Sequence, residues 1–161
     1  MKSGGPLTRL VRLGRQLSPV AAYWTALVRV CLGVFFCISG GTKLFSAAAW
    51  QEMVRTLTAS GLPYPEANAY FVSSVEFVGG GLLTVGLMTP LCAILLGGDM
   101  LVAILTNRLQ SVEGANVLAW VDNFLYLPEV LYALILGWLL FAGPGTPSAD
   151  AILAPEDEHL D

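Results

Sequence analysis

The sequence predicts an all-α fold: an integral membrane four-helix bundle with a short N-terminal interfacial helix and an amphipathic helix in the first outer loop. Three observations predict it. Of the 161 residues, 55% are hydrophobic and only 12% charged, whereas a soluble domain is about 25% charged. Mean hydropathy is +0.68. The apolar residues also gather into four segments, each near the ~20 residues that a bilayer crossing needs.

Residues 1–19 form a basic segment. Lys2, Arg9, Arg12 and Arg15 lie there, and a basic flank before a first span favours a cytoplasmic N-terminus. Within it, leucines and arginines of residues 7–17 recur at helical spacing, as in a helix lying on the membrane surface. Ser18–Pro19 is a suitable N-cap and first-turn pair for the next helix. A cleaved signal is not expected, because the apolar stretch that follows is long and contains Arg29.

Residues 20–143 are read as the membrane domain. Span one is Val20–Phe45, span two Ala67–Met88, span three Leu91–Asn107 and span four Phe124–Ala142, the last ended by Gly143-Pro144-Gly145. Thr89–Pro90 joins spans two and three so tightly that they form an antiparallel hairpin. In the first outer connection Trp50, Met53, Val54 and Leu57 share a helical face, which predicts an interfacial helix. Trp120, in the second, suits an interface anchor. Residues 144–161 form an acidic tail. This arrangement places both termini in the cytoplasm.

Other classes are excluded or unsupported. No nucleotide-binding motif is present, and no nucleic-acid partner is expected. The glycines of "VGGGLLTVG" lie inside a span, where close helix packing explains them. Cys31, Cys37 and Cys92 show no metal spacing. Cys31 and Cys37 lie ~9 Å apart along one helix and cannot form a disulfide there. They read as small buried apolar residues, and His159 as a solvated tail residue. No metal site and no haem or flavin motif is recognisable.

The charges inside spans carry the information, since each costs ~3 kcal/mol on insertion scales. At 1.5 Å per residue, Arg29, Glu76 and Asp99 each fall ~12–14 Å into their spans, near mid-membrane. Lys43 and Glu129 fall nearer the outer surface. At 100° per residue, Arg29, Gly33, Phe36, Gly40 and Lys43 share one stripe. Ser73, Glu76, Gly80 and Leu83 share another. Cys92, Asp99, Ala103 and Thr106 form a third, with Asn107 adjacent, and Asp122, Tyr126, Glu129 and Tyr132 cluster on span four. A bundle with a polar interior follows. Its expected pairings are Arg29 with Glu76 or Asp99, and Lys43 with Glu129. The carboxylate left over would bind a ligand or a proton; alternatively, the buried pairs only fix helix register.

These residues also carry a resemblance. "RVCLGVFFCISGGTK", "EFVGGGLLTVGLMT" from Glu76, "MLVA" from Met100, and "PEVLYALILGWLLFAGPGTPSAD" resemble, in order and spacing, the spans of the DoxX family of four-span bacterial inner-membrane proteins. The resemblance implies Arg29, Lys43, Glu76 and Glu129 as family positions. Many relatives carry a histidine where this chain has Asn107, and Asp99 is a departure. It further implies a membrane subunit or partner of a redox system handling quinone or small sulfur or thiol compounds. Quinone would then be a substrate and the electrons would come from a redox-protein partner; a homo-oligomer is also compatible. A small-solute or proton permeation protein and a non-catalytic scaffold are the alternatives.

Overall fold

Helix α1 runs Ser18–Phe45, and its 28 residues reach ~42 Å at 1.5 Å each, more than a ~30 Å hydrocarbon layer. In the computed structural model, which describes residues 18–109 and 112–153, this helix is the longest of the described elements. The surface helix expected over residues 7–17 and His159 lie outside the described residues, as do the side chains of Asn107 and Arg108.

The chain leaves α1 at Ser46, whose hydroxyl accepts from the Ala49 amide and caps α2, Ala47–Ala59. That capping supplies one of the partners a helix start lacks. The helix expected in the first outer connection is therefore present. Trp50 packs against Tyr70, the rings tilted by 45° with centroids 4.0 Å apart, holding α2 against α3, Pro65–Val85.

Gly86 ends α3 at φ +72°. Its amide bonds Leu83 O and the Leu87 amide bonds Leu82 O, the paired closure of a left-handed helix end. Helix α4, Thr89–Ala103, follows at once and continues into a π-helical turn, Ile104–Arg108. The hairpin predicted for spans two and three is this α3–α4 pair.

Span four differs from expectation. Val117–Leu125 forms α5 and Pro128–Ala142 forms α6, bent by 67° from one another. Pro128 is the reason: its ring disfavours helical geometry at the preceding residue, and Leu127 takes extended angles, φ −68° and ψ 125°. Asp122 and Tyr126 are exposed and point away from the bundle, so they leave the expected stripe. Beyond α6 the chain turns under the bundle, where the Thr146 amide bonds Ala22 O and the Asp150 amide bonds Gly86 O. A short α7, Ala149–Leu153, closes the described chain.

Helices α1, α3, α4 and α6 pack in a ring, each antiparallel to the next. The closest pair is α1 and α3. A Cβ added to Gly33 would sit 2.6 Å from Thr84 N, one on Gly40 2.6 Å from Ser73 O, and one on Gly80 2.7 Å from Gly33 O. Small residues that let backbones meet are the usual basis of helix association in lipid. The core between the helices holds Leu32, Phe36, Leu83, Leu96, Leu136 and Leu139.

The outer surface is apolar instead of charged. Tyr23, Trp24, Ile38, Phe71, Ile94, Leu105, Leu134 and Phe141 are each more than half exposed, a surface that suits lipid and not water. Val20–Phe45 and Thr89–Thr106 are each long and apolar enough to cross a membrane, and α5 with α6 passes only as a bent pair. Asn68, Glu76 and three successive glycines dilute the apolar residues of α3. Among the described residues, length and hydropathy thus give two spans, or three with the bent pair; the fold is a helical membrane bundle.

Candidate functional site

The two cations of α1 lie on one stripe, as the spacing predicts, but they do different things. Arg29 is 1% exposed and donates to four carbonyls. Nη1 bonds Leu83 O at 2.6 Å and Thr84 O at 2.8 Å, Nε bonds Pro144 O at 2.8 Å, and Nη2 bonds Pro147 O at 2.7 Å. The first two belong to the last turn of α3, where unsatisfied carbonyls gather negative potential. Gly86 lies under the guanidinium, and a Cβ there would come within 2.6 Å of Nη1.

Arg29 therefore does not meet Glu76 or Asp99, contrary to the expected pairing. The depth arithmetic assumed spans that begin and end level. Arg29 instead lies opposite the end of α3, seven residues beyond Glu76, which is ~10 Å along the axis. Its buried charge is met by carbonyl dipoles and by the nearby charge of Asp150.

Asp150 completes that end of the bundle. Its two carboxylate oxygens accept from the Met88 amide at 2.7 Å and the Thr89 amide at 2.9 Å, capping α4 from 61 residues beyond Thr89 in the chain. Burial alone would raise this carboxyl, but the Thr89 and Met88 amides and the Arg29 charge outweigh it and hold the carboxyl below its ordinary value.

At the opposite end, Lys43 takes Glu76. Nζ lies 2.7 Å from Oε1 and 2.5 Å from Oε2, and Ser39 Oγ donates to Oε2 at 3.3 Å. The Glu76 side chain is 4% exposed and that of Lys43 25%. The expected Lys43–Glu129 pair is thus replaced by Lys43–Glu76. The physical reason is the Gly40 notch, which brings α1 against the turn of α3 that carries Glu76.

Asp99 of α4 joins this group. Its carboxyl interacts with that of Glu76 and with the Lys43 charge, and its Oδ2 is buried without a hydrogen-bond partner. Glu129, in the first turn of α6, lines the same cavity of about 260 Å³. Four helices of the ring thus deliver Lys43, Glu76, Asp99 and Glu129 to one chamber. Among the described side chains, these are the charged groups that line it. Asn107 follows shortly after Asp99 in the π-helical turn, and its side chain lies outside the described residues.

Sequence reasoning missed the roof. Met53, Thr56 and Leu57 of α2, with Ser60 that caps its end, cover the chamber. Their spacing of three, four and seven residues was the available signal, since it marks one helical face. Val72, Met100, Ala103 and Thr106 complete the wall.

The chamber offers a half-buried ammonium, several carboxyl oxygens and hydroxyls within apolar walls. It is fitted to hold a small polar head or to pass a proton. Among the described residues, no His, Cys, Asp and Glu cluster is arranged for a metal ion. Cys31, expected to be buried, faces outward, while Cys92 is buried.

Fold and site together define a helical membrane protein with an ionisable site inside its bundle. The chain belongs to the DoxX family, whose match covers residues 24–108. It is 31% identical over 111 residues to the protein named Putative oxidoreductase CatD of Bacillus subtilis (strain 168), covering 68% of this chain and 77% of that one. No solved structure matches it.

Proposed function

We propose that the chain is a membrane subunit or partner of a redox system in a bacterial inner membrane, and that it handles quinone or a small sulfur or thiol compound in the chamber of Lys43, Glu76, Asp99 and Glu129. The observation that carries this reading is the convergence of an ion pair and a second carboxyl, Asp99, on one cavity inside the bundle. Charges so placed in a membrane protein mark ligand or proton paths. The relative's oxidoreductase name supports the redox class.

In this reading Lys43 holds the polar oxygen of the ligand while Glu76 and Asp99 exchange protons with it. Two carboxyl groups in contact can hold one proton between them, which suits chemistry that couples protons to electrons. Electrons come from a partner redox protein. Arg29 has no part in binding; it secures the other end.

The test titrates purified protein with a short-chain quinone and, separately, with thiosulfate. One of the two binds saturably, and Lys43→Met and Asp99→Asn weaken it. Absence of binding to the wild-type chain, or binding by both variants as tight as by the wild type, rejects the proposal.

A further inference from the structure

A second cavity, about 330 Å³, lies on the outer side of the chamber between α3 and α4. Leu57, Phe71, Val75, Leu95 and Gly98 line it, and Asp99 stands at its inner end. Asp99 also lines the polar chamber, as do Leu57 and Val72, so the two cavities adjoin through these shared walls. The outer one opens on the lipid-facing surface. Phe71 is 65% exposed and Ile94, also on its wall, 56%.

Its construction follows from the sequence. Gly98 removes a side chain from the α4 face next to Asp99, and a Cβ there would meet nothing within 4 Å. By contrast, Gly33, Gly40 and Gly80 are filled by neighbouring backbone. A glycine whose missing side chain is replaced by no neighbour leaves a groove. At the groove's end, Asp99 Oδ2 is buried and without a hydrogen-bond partner, a costly state that a bound donor relieves.

An apolar channel facing lipid that ends on a buried carboxyl, one oxygen of which is still open to a donor, defines its occupant chemically. We propose that this groove is a lateral opening, through which a membrane-dissolved amphiphile places a hydroxyl-bearing head on Asp99 and leaves its apolar tail between α3 and α4. The occupant is a quinol-type molecule with a hydrocarbon chain, and it reaches the chamber from the bilayer without crossing water. This assignment rests on the redox reading of the chamber and narrows it from two substrate classes to the lipid-soluble one.

The experiment uses the full chain in lipid nanodiscs and three probes: a decyl-substituted benzoquinol, the same ring without the decyl chain, and thiosulfate. Gly98→Phe fills the groove, and Ile94→Trp narrows it one turn earlier on the same helix, from a lipid-facing position outside the core. The expected result is that the decyl quinol binds more tightly than the bare ring, and that each variant weakens the decyl quinol by about tenfold or more while leaving the bare ring unchanged. Asp99→Asn weakens both quinols. If neither groove variant changes decyl quinol binding, or if chain and bare ring bind equally, the lateral opening is overturned and the chamber reading survives. If thiosulfate alone binds, the amphiphile assignment fails and the sulfur class remains. If no probe binds the wild-type chain, the redox reading and this proposal fall together.

Discussion

Lys43 and Glu76 meet through both carboxylate oxygens, at 2.7 and 2.5 Å, where the Gly40 notch brings α1 against α3. The pair lies at one end of a glycine-lined seam whose other end is closed by Arg29. Two cations on one helix face thus serve two separate purposes, one holding a site and one holding the fold.

The first prediction concerns that pair. Lys43→Met leaves the Glu76 carboxylate buried without its cation, and removing one partner of a buried pair costs about 3 kcal/mol or more. The double variant Lys43→Met/Glu76→Leu removes both charges and regains most of that stability. Thermal unfolding in detergent measures both. Equal losses for the single and double variants contradict the ion pair's description.

Arg29→Lys is the second. Lysine keeps the charge but is a point donor, and it cannot reproduce a planar fork reaching four carbonyls. Stability falls clearly while ligand binding at the Lys43 end is retained at saturating protein integrity. A variant that unfolds normally but loses binding places Arg29 in the site after all.

The third prediction separates two kinds of glycine. Gly40→Ala and Gly80→Ala push a methyl into facing backbone and lower stability by about 1–3 kcal/mol, as overpacking does. Gly81→Ala meets nothing within 4 Å and raises helix stability by up to about 1 kcal/mol. Denaturation of the three variants under one condition gives the order directly.

The fourth is a pH dependence. The Asp150 carboxyl is held below its ordinary value in the folded chain, so its stabilising effect is full above the unfolded carboxyl's range, near pH 4. That effect is lost as pH falls further, through the folded value. Asp150→Asn keeps one acceptor oxygen and loses the other amide bond and the charge, so it weakens the bundle at neutral pH by about 1 kcal/mol, as for one lost hydrogen bond. The difference between variant and wild type narrows in acid. A constant difference from neutral pH into acid contradicts the capping role.

The sequence carried the all-helical membrane class, the α1 stripe, the α3 stripe of Ser73, Glu76, Gly80 and Leu83, and the α2 helix. Each rests on local periodicity, and periodicity is a property of one segment. Partner choice was not local. Arg29 finds carbonyls of Leu83 and Thr84 because α1 and α3 are offset along their axes, and it finds Pro144 and Pro147 because the chain beyond α6 folds back. Neither fact is written in the spacing of charges. Pro128 was legible as a break, yet an apolar run through it hid the bend that removes Asp122 and Tyr126 from the interior.

The central claim is that the chamber of Lys43, Glu76, Asp99 and Glu129 receives the ligand. Photo-crosslinking tests it most directly, with a decyl quinol carrying a photoactivatable group on its ring, applied to the chain in nanodiscs and mapped by peptide mass spectrometry. The claim predicts adducts at Val72–Glu76 and at Gly98–Ala103, competed away by unlabelled decyl quinol. Adducts concentrated around Arg29 and Pro144–Pro147, or spread over the lipid-facing residues without competition, would contradict it.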